Sequence, residues 1–509
     1  MTGPSSSHTA GPGRIGLFIG KLMDKFDKIL IEFPKSGSYL GTYRGQRSVV
    51  AFVAGILGYD IIDPHFKNSL SIAKNRGISV EITINDREII HPNTSFITLA
   101  SDHKRICVES WSTGGGMFEI KSINEASVIC KGDCHEIVLF DDSDENRLLN
   151  AFLTIAERDS LVLMDEIFLT VNGVINVKLK EAPSQEMLNA FKEKASALGG
   201  DIRYIAPLLP VAWCSDAHVP FLTSKELEMF IRDNEMPLWK AAVCYETKRS
   251  GWNEDQVLKF AQNLVEVMRD SVVTGLKSDF ETSGFLSPTA CQIHHAKSAG
   301  RLIDTGVIGN AAIYSVAVME YNSAMGIVVA SPTAGSCGVI PGVLFGIAGI
   351  DSIGIEENAK ALLCAGLIGI FIANQATFSA EVCGCQAENG AASCLASAIA
   401  SYFLGSDLQT TLNAASAALQ NMLGLICDPV AGYTDIPCIT RNTMAVSNAI
   451  VSANLAAGGF DSVIPLDETI QIMLEVGRML PSELRCTGLG GLCVTFTGQE
   501  ILRKVCKDC

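Results

Sequence analysis

Charge is scarce in this chain of 509 residues. Asp, Glu, Lys and Arg make up 18% of it, apolar residues reach 48%, and the mean hydropathy is +0.27. Soluble proteins usually carry about 25% charged residues. Such a composition excludes a disordered chain and supplies a large core. Positive charge is scarcer still: 39 basic residues face 55 acidic ones, for a net charge of −16. That balance argues against a protein that tracks nucleic-acid phosphates. The opening residues, MTGPSSSHTAGPGRIG, lack the basic and apolar regions of a secretory leader, so a reducing cytoplasm is expected. Internal repeats, low-complexity runs and basic amphipathic stretches are also missing. The length predicts roughly two to four domains.

Long apolar runs are present but lack the marks of membrane spans. Residues 362–380 and 389–406 are uncharged, and 361–426 holds three charges in 66 residues. Membrane spans are rich in Leu, Ile and Phe and flanked by Lys or Arg. These runs are rich in Ala, Ser and Gly and have no basic flanks. They predict core helices packed closely through small residues, and no membrane partner.

The patterning predicts a multidomain chain: an α+β N-terminal domain over 1–145, a small α/β connector over 146–218, and a large, mostly α-helical domain over 219–509. Strand signals lie at Ile29–Phe33, Ser79–Ile84 and Ser95–Leu99, with more over 104–139 around Gly114–Gly116. Segment 48–57 reads as a helix. In the connector, strands flank Asn172-Gly173, a helix covers 183–198, and a further strand follows Gly199-Gly200. Thr223 and Ser224 cap a helix, and 254–277 shows the 3.6-residue apolar period.

Seventeen cysteines are what the chain has in excess. An odd count in a long chain with no leader argues against a disulfide framework. Free cysteine is among the most buried residue types, so an inert core thiol is the plain reading of each. Two segments depart from that. Cys427 and Cys438 bracket CDPVAGYTDIPC, and Cys383 and Cys385 lie in EVCGCQAENG. Both are helix-breaking loops inside otherwise helical runs. Thiolates on loops can converge on a metal from distant segments, and they suit zinc or iron–sulfur clusters. The spacing is not that of zinc ribbons or ferredoxins. Two hydroxyl-rich loops, GPSSSHTAGP at 3–12 and SPTAGSCGVIP at 331–341, could bind a carboxylate or phosphate through hydroxyls and backbone N–H groups.

These motifs together resemble the iron–sulfur-dependent L-serine dehydratases (L-serine ammonia-lyases). GPSSSHTAGP, HPNT at 91–94 and TGGGMFEI at 113–120 are similar to the β portion of that family. SPTAGSCGVIPGVL, AEVCGCQAENGAASC and GLICDPVAGYTDIPCITRN are similar to its α portion. The resemblance covers about 1–140 and 220–509. It implies conversion of L-serine to pyruvate and ammonia by β-elimination, with a [4Fe-4S] cluster whose open iron stabilises the departing hydroxide. It implies Cys385, Cys427 and Cys438 as cluster thiolates, with Cys509 capping the fourth iron at rest and Cys506 as the fallback. Cys383 is the rival ligand, and Cys337 and Cys394 are core or neighbouring thiols. Ser5, Ser6, Ser7, Thr9, His91, Asn93, Ser331, Thr333 and Gly335 are implied for substrate binding.

One residue departs from the family pattern. Gln46, in TYRGQRSVV, stands where the family carries a histidine taken to be the base, and glutamine cannot accept a proton at neutral pH. His8 is the first replacement and His91 the second; His294 and His295 read as structural. The departure keeps two alternatives open: a cluster lyase with another β-leaving group, such as an L-cysteine desulfidase, and a base-deficient regulatory serine-binding protein. A pyridoxal-phosphate enzyme is not expected, because Lys297 has no glycine-rich phosphate loop nearby. The expected partner is a small amino acid, and large low-charge surfaces point to a homodimer.

Overall fold

The computed structural model describes residues 1–141, 147–159, 161, 163–169, 173–209, 218–282 and 284–505. The chain divides into two compact units. One comprises Met1–Thr9, Gly41–Arg47 and His218–Cys509; the other comprises Ala10–Leu40 and Ser48–Ala217.

The second unit carries two sheets. The first has six strands in the order β2-β1-β3-β4-β5-β6: β1 is Lys28–Pro34, β2 Ser79–Asn85, β3 Thr94–Ala100, β4 Arg105–Gly114, β5 Met117–Ile123 and β6 Ala126–Cys130. Only β1 and β2 pair in parallel; the other neighbours are antiparallel. Alternate residues of β4 are buried, as a sheet with one covered face requires. The expected helix at 48–57 forms over Ser48–Ile56.

The other sheet is a module of its own. Its strands are β7 (His135–Phe140), β8 (Leu163–Leu169), β9 (Val174–Leu179) and β10 (Asp201–Ile205), in the order β10-β7-β9-β8, with all neighbours antiparallel. Helices Arg147–Arg158 and Gln185–Ala197 complete the split βαββαβ order. They bury Phe152 and Phe191 against Ile137, Leu139 and Val177. Because β7 is the central partner of this sheet, the expected boundary at 145/146 cuts through the module. A sheet cannot lose an inner strand, so pairing overrides the charged break at 141–147. Asn172, half of the predicted hairpin signal, lies outside the described residues; Gly173 has φ 69°, as a tight turn needs.

The first unit is helical. Thr223 caps the helix Ser224–Asn234 and shares a capping box with Glu226; Asn253 and Gln256 do the same for Glu254–Lys277. The core is built from Ala- and Gly-rich helices: Val307–Ser323, Val339–Ala348, Ile355–Gln375, Asn389–Phe403, Leu408–Gln420 and Cys438–Ala457. Close approach is obligatory. A Cβ at Gly346 would lie 2.5 Å from the Ala311 side chain. This packing by small residues is what the sequence predicted, and no helix among the described residues is long and apolar enough to cross a membrane. Residues 1–9 and 41–47 belong to this unit rather than to an N-terminal domain over 1–145. Thr2 bridges Ile327, and Asn322 donates from Nδ2 to the Pro4 carbonyl at 2.9 Å.

Candidate active site

Five loops of the helical unit meet where the helices stop. Gly384 (φ 73°) turns the chain out of the short helix Ala380–Cys383, and only glycine takes that conformation without strain. The turn Cys385–Ala387 follows, tied to the next loop by Gln386 N–H donating to the Leu425 carbonyl at 3.1 Å. Cys427 is fixed by the 484–486 segment: its N–H donates to Leu484 O, and Cys486 N–H donates to Cys427 O, each at 2.8 Å. Cys438 opens the helix Cys438–Ala457.

Cys385, Cys427 and the Glu388 carboxylate bring their ligand atoms within 4.8 Å of one another. Arg441 crosses behind them. Its guanidinium donates to Cys385 Sγ at 3.7 Å and to Ile426 O at 2.9 Å, and it pairs with Asp428 Oδ1 at 2.8 Å. The thiol of Cys385 is brought down to about 7, first by a hydrogen bond from Cys427, against burial, and then by Arg441. Cys427 is pushed well up, first by its bonds to Cys385 and Cys486. Cys438 is pushed well up by burial and by the charges of Cys385 and Glu388. Glu388 is itself raised far above the ordinary range, by burial and then by Cys385 and Glu381; Thr333 Oγ1 donates to its Oε1 at 2.7 Å.

The hydroxyl loop forms a wide single turn, Ser6–Ala10. His8 is fully buried, with Nδ1 2.9 Å from Ser7 Oγ and 3.2 Å from Glu381 Oε1. Ser7 donates its proton to Glu381 Oε1 at 2.7 Å, and Ser379 donates to Oε2 at 2.7 Å. With the Ser7 proton committed to Glu381, Nδ1 is the donating nitrogen of the ring. Burial raises Glu381, but His8, Ser7 and Ser379 outweigh it and hold the carboxyl far below the usual range. A histidine oriented by a buried carboxylate is the arrangement of a general base.

The remaining predicted residues fall as follows. Ser5 Oγ accepts from His8 N–H at 3.0 Å; Thr9 Oγ1 donates to the Gln46 carbonyl at 2.7 Å. Ser6 Oγ accepts from Ala334 N–H at 3.4 Å, joining the two hydroxyl loops. Ser331 donates to Val329 O at 3.3 Å, and a Cβ on Gly335 would come within 2.7 Å of Glu388. Gln46 is buried, its Nε2 4.0 Å from Cys486 Sγ. His91 and Asn93 belong to the other unit. There His91 stacks on Trp111, while Asn93 accepts from Ser38 Oγ and donates to Ser112 O at 3.1 Å. Cys509 and Cys506 lie outside the described residues. Cys383 turns to a structural contact, donating to Met473 O at 3.2 Å, with burial pushing its thiol up to about 11. Burial alone pushes Cys394 up, and it dominates at Cys337 too. His294 and His295 are exposed on the helix Ala290–Ser298, and Lys297 donates to Asn310 Oδ1 and Gly306 O.

Sequence reasoning passed over Glu381, Glu388, Arg441 and Cys486. A signal for the first two was present. The stretch 361–426 holds three charges; Asp407 caps the helix Leu408–Gln420 through Thr410 N–H, and the other two are Glu381 and Glu388. A charge with no surface to serve in such a run marks a site.

The donor set suits a soft, thiolate-bound metal group. A cluster, whose irons stand apart, also spreads its ligands farther than a single ion does, which leaves room for Cys438. Asn389, next after Glu388, is fully buried, and neither side-chain polar atom has a partner among the described residues. A substrate or ordered water satisfies such a group.

A family model described as serine dehydratase alpha chain matches residues 223–493. The chain is 35% identical over 285 residues to the probable L-serine dehydratase, alpha chain, of Bacillus subtilis (strain 168), covering 56% of this chain and 95% of that one. It is 34% identical over 289 residues to the L-serine dehydratase, alpha chain, of Peptoniphilus asaccharolyticus, covering 56% and 98%. Against L-serine dehydratase 2 of Escherichia coli (strain K12) it is 29% identical over 284 residues, covering 54% and 61%. The matched region holds Glu381, Cys385, Glu388, Cys427, Cys438 and Arg441. This chain belongs to the L-serine dehydratase family.

Proposed function

We propose that the protein is an L-serine ammonia-lyase that forms pyruvate and ammonia, with a [4Fe-4S] cluster held by Cys385, Cys427 and Cys438. The observation that carries this reading is the pairing of a thiol brought down to about 7 by Cys427 and Arg441 with a His8–Glu381 base on the facing loop. When bound, the cluster supplies a Lewis-acidic iron that stabilises the departing β-hydroxide.

The chain's own residues do the rest. His8 Nε2 takes the α-proton, and Glu381 stabilises the imidazolium through Nδ1–H. The electron pair of that C–H bond forms the Cα=Cβ bond as hydroxide leaves, and the proton held by His8 passes to the hydroxide, giving aminoacrylate and water. Aminoacrylate tautomerises to an imine, and water hydrolyses it to pyruvate and ammonia. Glu388, kept protonated by its surroundings, can donate a hydrogen bond without adding negative charge beside the thiolates. Hydroxyls and N–H groups of 5–9 and 331–336 supply carboxylate donors. Gln46 serves as an amide donor, not a base.

The test is an anaerobic preparation assayed for iron, acid-labile sulfide and pyruvate release from serine, threonine and cysteine. Stoichiometric cluster and turnover on serine are expected. Colourless protein without sulfide, or turnover on cysteine alone, overturns the proposal.

A further inference from the structure

One side chain beside the site is buried without partners. Asn389 opens the helix Asn389–Phe403 and is fully buried, yet neither its Oδ1 nor its Nδ2 has a hydrogen-bond partner among the described residues. Buried polar atoms are costly to leave unpaired, and nearly all of them are paired. Three other asparagines of this unit show that its packing ordinarily satisfies the amide nitrogen. Asn322 Nδ2 donates to the Pro4 and Ala334 carbonyls, and Asn442 Nδ2 to those of Gly335 and Cys438. Asn448 Nδ2 donates to Ser393 Oγ and to the Ala418 carbonyl. Asn389 has no such arrangement at either end.

Helical geometry fixes which way it points. Glu388, one position earlier, faces the 333–335 loop: it accepts from Thr333 Oγ1 at 2.7 Å, and a Cβ on Gly335 would lie 2.7 Å from its carboxylate. Gly390, one position later, turns toward Met422 and Leu419. Ser393 is one helical turn on from Asn389 and so shares its face. The Ser393 hydroxyl donates to Ala445 O at 2.8 Å, in the helix Cys438–Ala457. Asn389 faces that same helix nearer its start, because both helices begin at Gly335, which meets Glu388 on one side and Asn442 on the other. That start carries Cys438 and Arg441. The unpaired amide therefore lies in the wedge where Cys385, Glu388, Cys438 and Arg441 converge.

The pairing it lacks describes the ligand. A sulfide or thiolate accepts from Nδ2 and leaves Oδ1 unpaired. An α-amino acid zwitterion carries both complements on one carbon: a carboxylate for Nδ2 and an ammonium for Oδ1. We infer that Asn389 grips the α-ammonium and α-carboxylate of the substrate, and so selects α-amino acids against acids that lack the ammonium group. The inference rests on the proposed function, because it takes that substrate into the same site. Asn389 binds and orients; it moves no proton.

The experiment uses the full chain, purified anaerobically with its cluster, as native protein, N389L and N389D. The probes, in equilibrium dialysis, are L-alanine, which has both charged groups but no leaving group, and L-lactate, which has a hydroxyl in place of the ammonium. Native protein should bind L-alanine about tenfold or more tightly than L-lactate. N389L removes both hydrogen bonds at similar volume. Its binding of L-alanine should weaken by about tenfold or more, and the preference should vanish, with iron content unchanged and KM for serine raised more than kcat is lowered. N389D keeps an acceptor for the ammonium but sets a negative charge against the carboxylate. It should lose L-alanine and bind ethanolamine, which has no carboxylate, at least as well as native protein does. The inference fails if N389L keeps the native preference, in which case the amide holds ordered water, or if native protein shows no preference. It fails as well if both variants lose iron or melt well below the native protein, which assigns Asn389 to the fold. Dialysis needs no turnover, so an absence of pyruvate from serine sinks the proposed function while the probe preference still decides the role of Asn389.

Discussion

Two regions of this molecule bury cysteines beside glutamates, and in one of them a thiol and a carboxyl are brought down against burial. Where β6 leads into the βαββαβ module, Cys130 and Cys134 lie near Glu136 of β7, whose Oε2 accepts from Asn176. Burial pushes Cys130 far up, Cys134 to about 12, and Glu136 above the usual glutamate range. In the helical unit, Cys385 comes down to about 7 and Glu381 falls far below its usual range, although both are buried. Burial penalises charge in both places. What differs is the partner set. The helical unit supplies a guanidinium, a histidine and a run of O–H and S–H donors, while Lys178 in the module is too weak to reverse burial. At Cys385 the donors and the cation outweigh burial, while Cys427 and Cys438 beside it are still pushed up.

The largest expected effect separates the two regions outright. C385A or C427A should abolish bound iron after anaerobic reconstitution, whereas C130A and C134A should leave it unchanged; equal iron in all four would erase the distinction. Next, H8A should lower kcat on serine by about 10²–10⁴-fold with iron content intact, the usual worth of a positioned base. Loss of cluster in H8A would assign it a structural role instead. R441Q breaks the comparison from the other side. Removing the charge-assisted bond to Cys385 should weaken cluster retention against a chelator by about tenfold or more.

The smallest effect belongs to the module. Glu136 is raised in the folded protein, so the fold binds more protons than the unfolded chain between the ordinary value of 4.5 and the raised one. Its contribution to stability is therefore greatest at acid pH and declines as pH rises through that window, by about 1.4 kcal/mol per unit of elevation. E136Q, which keeps the shape and a hydrogen-bonding side chain, should flatten this part of the stability–pH curve in denaturant titrations. An unchanged slope would mean that Glu136 is not the titrating group.

Much of this was legible in one dimension. Alternation and turn residues marked β1, β3 and the helix 254–277, because local backbone preference and one-sided burial leave a period in the sequence. Glycine and proline marked the loops of Cys385 and Cys427, since stretches dense in those residues disfavour a continuous helix. Other features left no such trace. The module's boundary was invisible because β7 joins its sheet by pairing with β9 and β10, not through any local signal. Cys486 stood alone in a turn, with no spacing to mark it as a partner of Cys427.

The sequence by itself determined where helices must stop and which thiols would stand on loops, because those depend on neighbours along the chain. Only the tertiary structure decided which of those thiols is brought down and which are pushed up. Ser7 and Glu381 are 374 positions apart, and Arg441 reaches Cys385 across 56. In a dry interior the charge on each group is set by whatever donor lies within a few ångströms, and that neighbour is chosen by how helices pack through their small residues.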